Sequence, residues 1–117
     1  MSFRFEDLKI WQIAIDFSNN IFEISKSFPK DASFELTNQI RRAALSVPAN
    51  IAEGSGSNSN ADFRNFLNIA VRSIFELVSH LYIAKSREYI SEDQYKNLYS
   101  KLENLAKQIN ALKKQLK

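Results

Sequence analysis

Five polar side chains recur at helical spacing between Leu36 and Gly56: Gln39, Arg42, Ser46, Asn50 and Glu53. Steps of three and four residues place them on one helix face. Leu36, Ile40, Ala43 with Ala44, Val47 and Ile51 make an apolar stripe beside them. Two chemistries fit such a polar face. One is a buried, mutually satisfied network that fixes helix register, because buried polar groups take partners. The other is a site for a ligand or a nucleic acid. Plain solvent exposure is the third alternative. Covalent catalysis finds little support, since the stretch has no cysteine and no histidine and offers Ser46 no base.

Pro48 lies inside the pattern. It has no N–H for the carbonyl of Ala44, and its ring crowds that carbonyl, so a kinked helix is expected. An interior proline costs about 3 kcal/mol against alanine in a host helix. Ser46 and Asn50 flank the break and are placed to bond the freed backbone groups. Gly54 and Gly56, the only two glycines, should end the helix, with Gly54 in the left-handed position beyond it.

A second polar face complements the first. Ser73, Glu76 and His80 are spaced by three and four. A short connection, Ser55 to Asn60, makes the second and third helices antiparallel. Counting back from it sets Arg42 near Ser73 and Gln39 near Glu76. An Arg42–Glu76 charge pair is therefore expected, with Gln39 and His80 close by. Such a pair specifies register more than it stabilises, because desolvation offsets much of the attraction. His80 reads as structural. The network expected is thus Gln39, Arg42, Ser46, Asn50, Glu53, Ser73 and Glu76. A hydrolase or nuclease would need convergent carboxylates for a metal, or a nucleophile with its base; Glu53 and Glu76 are the only acids near this network.

These residues need long helices to hold them. Two glycines and two prolines among 117 residues argue for long helices and short connections. The first helix is expected from about Glu6 to Ser27, with Ile10, Ala14, Phe17, Ile21, Ile24 and Phe28 as core stripe. Leu8, Trp11, Ile15 and Phe22 form a second apolar line. Pro29 stops it, and Asp31 or Ser33 caps the second helix. The third starts at a variant capping box, Ser59 with Asp62, and reaches about Arg87. Its core stripe runs Phe63, Leu67, Ala70, Ile74, Leu77, Leu81, Ala84, beside a second of Val71, Phe75, Val78 and Tyr82. The fourth starts at a capping box of Ser91 with Gln94 and carries Tyr95, Leu98, Leu102, Leu105, Ile109, Leu112 and Leu116 in heptad spacing. The fold class is all-α: an antiparallel up-down four-helix bundle with a proline-kinked second helix, one domain over residues 1–117. The wide apolar faces of the first and third helices exceed one bundle core. They imply burial against another subunit, or else a thick core.

Composition narrows the function. There is no cysteine and one histidine, which leaves no disulfide framework, no thiolate metal site and no multi-histidine motif. No metal and no cofactor are expected, and no small-molecule substrate. No apolar run approaches a membrane span. MSFRFEDLKIW has early acids and no apolar core of a secretory signal, so the cytoplasm is the default location. Sixteen basic against thirteen acidic residues give +3, a weak pointer to nucleic acid. The segment Lys101 to Lys117 holds five lysines and one glutamate. Part of that cluster suits the negative end of a helix dipole.

The string QIRRAALSVPANIAEGSG, with Ser59 and then DFRNFLNIAVRSIFEL, resembles the S23-type four-helix bundle family, small bacterial proteins first found encoded in intervening sequences of 23S ribosomal RNA genes. FEDLKIWQIA, with Leu8 and Trp11, and the spacing of Phe28-Pro29 resemble it too. The resemblance spans nearly the whole chain and implies a four-helix bundle assembled as a homopentamer, with no known enzyme activity. Accessory proteins of diversity-generating retroelements are similar to it; those bind nucleic acid and a reverse transcriptase. Three positions depart from the pattern. Ser57 stands where an arginine is usual, Arg72 where a small residue is usual, and Glu88 replaces a glycine before Tyr89, which suggests a different end to the third helix.

Together these readings lead to a non-enzymatic homo-oligomer that binds RNA or DNA through a basic surface of Arg41, Arg64, Arg72, Lys107 and Lys114. Arg64, Asn68 and Arg72 lie four apart on one face, as phosphate contacts would. The alternative is a protein-interaction scaffold with no role in nucleic acid.

Overall fold

The periodicities resolve into four α-helices: α1 Lys9–Ser25, α2 Phe34–Ser55, α3 Asn60–Ser86 and α4 Glu92–Gln115. The computed structural model describes residues 2–117; Met1, the first residue of the expected domain and of the N-terminal stretch, lies outside them. Consecutive helices pack on each other, α2 against α3 most extensively, whereas α1 and α4 touch least. All four feed one core. Every residue of the expected α3 stripe from Phe63 to Ala84 is buried, as are Ile10, Ala14, Phe17 and Ile21 of α1 and Leu98, Leu102, Leu105 and Ile109 of α4. Ile24, Leu36, Tyr95, Leu112 and Leu116 close the core edges, half-buried. By length and mean composition α3 would also serve as a membrane-crossing helix, although Arg64, Arg72 and Glu76 interrupt it and it holds no unbroken apolar run of that length. Here its core stripe is covered by α2 and α4.

The start of α1 differs from expectation. Arg4–Asp7 form a 3-10 turn, and Leu8 is extended (φ −83°, ψ 120°) before the α-helix begins at Lys9. The turn is tied down locally. The Phe3 amide donates to Glu6 Oε1 at 2.8 Å, Gln12 Nε2 donates to the Glu6 carbonyl at 2.7 Å, and Phe5 packs on Trp11 with centroids 4.8 Å apart. At the far end α1 stops at Ser25. The hydroxyls of Ser25 and Ser27 donate to the carbonyls of Phe22 and Ile24, competing with further helix as serine does.

The helix starts are well marked. Ser59 Oγ accepts from the Asp62 amide at 3.1 Å, and Ser91 with Gln94 makes a full capping box. Ser33 precedes α2 but does not cap it: its hydroxyl donates to the Pro29 carbonyl and pairs with Thr37 Oγ1.

Two backbone expectations are corrected. Gly54 is not beyond the helix end but inside α2, and neither glycine has positive φ. Its role is contact: a Cβ there would lie 2.7 Å from Phe66 Cβ and 2.8 Å from Phe63 Cδ1. Gly54 lets α2 and α3 close together. The left-handed residue is Glu88, with φ 64°. The Tyr89 amide bonds the Ala84 carbonyl at 2.9 Å and the Glu88 amide bonds that of Lys85 at 2.9 Å. These are the two bonds of a Schellman motif, so α3 keeps the turn that suits a glycine and takes Glu88 into it under strain. Left-handed backbone costs a residue with a Cβ about 1–2 kcal/mol. Glu88→Gly should therefore raise unfolding stability by about 1 kcal/mol in urea titration. A loss of stability would show that the Glu88 side chain compensates.

Candidate nucleic-acid interface and the helix-two polar face

Pro48 is buried, and α2 runs through it without a break. The Ala44 carbonyl, deprived of its helical partner, is met from another helix. Ser18 Oγ on α1 lies 3.0 Å from it and 2.9 Å from the Ala14 carbonyl. One hydroxyl proton is thus shared between two acceptors. Ser18 is itself buried, at a position flanked by Ala14, Phe17 and Ile21 of the core. Neither Ser46 nor Asn50 takes the role expected of it: Asn50 Nδ2 donates to the Ser46 carbonyl at 2.8 Å, which is not the carbonyl that Pro48 leaves free. The decisive partner, Ser18, escaped the sequence reading because it is remote in the chain. A serine beside an apolar stripe, together with an interior proline, was the available signal.

The polar network is smaller than expected. Ser46 Oγ and Ser73 Oγ are 2.8 Å apart across the α2–α3 contact, and Asn50 Nδ2 reaches Ser46 Oγ at 3.0 Å. This triad is half-buried to buried. Gln39, Arg42 and Glu53 are exposed. Among the described residues no ion pair joins Arg42 to Glu76. Glu76 instead pairs within its own helix, with His80 Nε2 at 3.4 Å. The reason is geometric: an i,i+4 neighbour is held beside Glu76 by α3 itself, while Arg42 points to solvent. His80 Nδ1 is buried and lacks a protein hydrogen-bond partner. Among the described residues no group of three His, Cys, Asp or Glu could hold a metal.

The five basic residues do not form one surface. Arg41 is half-buried against the last turn of α1, its Nε donating to Ser25 Oγ at 2.8 Å and its guanidinium 5.0 Å from the Phe22 ring centre. Arg64 is half-buried at the other end of the bundle, where Nη1 donates to the Leu116 carbonyl at 2.6 Å. Asn60 Nδ2 bonds the Lys117 carbonyl beside it at 3.1 Å, so both side chains satisfy the frayed end of α4. Arg64 is committed to the end of α4, and Arg41 is held against α1 through its Nε. Arg72, Lys107 and Lys114 are exposed, and among the described residues no carboxylate stands within salt-bridge distance of them.

The α3–α4 side carries a different feature. Phe75 is 71% exposed, Tyr82 53% and Tyr99 43%. A groove of about 330 Å³ runs between the helices, with Val78 and Ala106 among its walls. In the second stripe of α3, Phe75 and Tyr82 are exposed while Val71 and Val78 are half-buried against the core; that of α1, Leu8, Trp11, Ile15 and Phe22, is half-buried within the chain. The thick-core alternative accounts for α1 and for Val71 and Val78, but not for Phe75 and Tyr82.

Similar proteins agree with this architecture. The family model of the 23S rRNA-intervening sequence proteins matches residues 6–111. A crystal structure at 1.70 Å of a protein of unknown function from the S23 ribosomal protein family of Bacteroides thetaiotaomicron superposes with a TM-score of 0.83 and 28% identity, covering 90% of this chain and 98% of that one. No curated protein matches the sequence. With four helices in the same arrangement and a family match across most of its length, the chain belongs to the 23S rRNA-intervening sequence protein family.

Proposed function

We propose that the protein is a non-enzymatic, self-assembling bundle whose α3–α4 face is its subunit interface. The observation that carries this reading is Phe75, a large aromatic 71% exposed at the lip of an apolar groove. Contiguous exposed apolar surface on a small protein marks an interaction site, and aromatic anchors dominate binding energy at such sites. The homopentamer implied by the family resemblance is a closed assembly that would cover this stripe in every subunit. Phe75→Asp should shift the mass measured by light scattering from multimer to monomer while leaving the helical circular dichroism unchanged. A multimer that persists in Phe75→Asp would place the interface elsewhere.

A second reading, nucleic-acid binding, is favoured by one observation: Arg72, Lys107 and Lys114 are exposed cations with no carboxylate within salt-bridge distance among the described residues. Assembly would repeat them around the multimer and sum weak phosphate contacts. The resemblance to nucleic-acid-binding retroelement accessory proteins agrees with this. Binding of a short RNA duplex should weaken with salt, and Arg72→Glu with Lys107→Glu should reduce the slope of log affinity against log salt by about 1 per residue. Arg64 is unsuited to this test, since its loss frees the end of α4. Multimers that ignore RNA at low salt would leave the protein a scaffold.

A further inference from the structure

A cleft of about 440 Å³ opens where the α1–α2 connection folds back on α2. Its polar walls bear Arg41, Lys30, Lys26 and Asn38, and no carboxylate lines it. Arg41 is unusual among the arginines. Its Nε bond to Ser25 and its stacking on Phe22 fix the guanidinium, yet among the described residues neither Nη atom has a hydrogen-bond partner. Among the described residues no carboxylate lies within 4 Å of it. A half-buried guanidinium held in place with two free donors is ready for a planar or tetrahedral anion. Lys30 is exposed and among the described residues has no ion pair, while Lys26 is engaged by Glu23 at 3.2 Å. Asn38 adds a neutral amide. Phe34, the first residue of α2, forms the other wall and is 67% exposed, with no core contact to explain its size. An aromatic face beside fixed cationic donors suits a ring stacked next to its phosphate, and the volume lies in the range of small-ligand sites.

We infer that this cleft binds a nucleoside 5′-phosphate, its phosphoryl group on Arg41 and Lys30 and its base on Phe34. The ligand is either a free nucleotide or the terminal nucleotide of a 5′-phosphorylated strand; both present the same chemistry. The cleft lies at the α1–α2 hairpin, away from the α3–α4 face, so either reading can fail without the other.

The test is titration of the full-length, 15N-labelled protein at low salt with adenosine 5′-monophosphate, adenosine, inorganic phosphate, and an RNA hexamer with or without a 5′-phosphate. The amides of Thr37, Asn38 and Arg41 should shift with the monophosphate. Adenosine should bind about tenfold more weakly, as loss of a charge-assisted contact predicts. Lys30→Gln, at an exposed site that leaves the core intact, should weaken the monophosphate by about the same factor. Phe34→Ser should weaken the monophosphate but not inorganic phosphate. Equal binding of the phosphorylated hexamer identifies a strand end as a source, and binding of the monophosphate alone identifies the free nucleotide. Absence of shifts at these amides with every ligand at millimolar concentration overturns the inference. So does monophosphate affinity unchanged in both Lys30→Gln and Arg41→Gln.

Discussion

Gly54→Leu should prevent the bundle from folding, and Gly54→Ala should already destabilise it. The Cβ of alanine would sit 2.7 Å from Phe66 Cβ, an atom fixed by its own backbone, and 2.8 Å from the buried Phe63 ring. Neither contact relaxes by moving a flexible tip, so α2 and α3 must separate. Overpacking of this kind costs about 1–3 kcal/mol, more than the ~1 kcal/mol of helix propensity gained in replacing glycine. A leucine would force apart the most extensive contact in the molecule. Gly56→Ala supplies the control. It is exposed, at negative φ, and the nearest atom to an added Cβ is the Glu53 carbonyl at 3.7 Å. It should lie within about 0.5 kcal/mol of the parent. Urea denaturation of the three variants checks this. Equal stability of Gly54→Ala and Gly56→Ala would contradict close packing at Gly54.

The second large effect concerns Pro48 and the serine that compensates it. Ser18→Ala leaves the buried Ala44 carbonyl without a partner, which should lower stability by about 1–3 kcal/mol. In a Pro48→Ala background the N–H of residue 48 can restore the helical bond to Ala44. The same Ser18→Ala change should then cost markedly less, with a coupling of about 1 kcal/mol or more between the two sites. A double-mutant cycle in urea measures it. Identical costs in both backgrounds would mean that Ser18 serves only its own Ala14 carbonyl.

These two sites mark what sequence reveals here and what it hides. Residues on a single helix were legible: the α3 stripe from Phe63 to Ala84 is buried throughout, and the caps at Ser59 and Ser91 stand where their spacing put them. Local periodicity and capping chemistry depend on neighbours a few residues away, so they survive in the sequence. Contacts between helices depend on rotation about the helix axis as well as on level. Matching levels set Arg42 opposite Ser73, but it is Ser46, one turn further along α2, that meets Ser73; the same count turned Arg42 toward Glu76, which instead engages His80. Gly54 shows the same limit: a glycine near a helix end signals a left-handed cap or a close approach, and only the position of Phe66 decides. Glu88 is the converse case. Its turn is set by the chain geometry after Ala84, and an unfavourable residue is carried through it.

The basic residues illustrate a further point. Charge alone grouped Arg41 and Arg64 with Arg72, Lys107 and Lys114. Hydrogen bonding separates them: the Leu116 carbonyl claims Arg64, and Ser25 holds Arg41 by its Nε at the opposite end of the bundle, apart from the other three. Only the remaining three are free to act as a repeated outer surface, and they gain strength only if copies of the chain come together.

Self-assembly is therefore the claim on which the functional account turns, and the solution mass of the unaltered protein tests it most directly. Light scattering over a dilution series should give a closed multimer well above the 13.5 kDa of one chain, dissociating only on strong dilution. A stable mass of one chain at every concentration would mean that the Phe75 face stays open to water, and the account would be wrong.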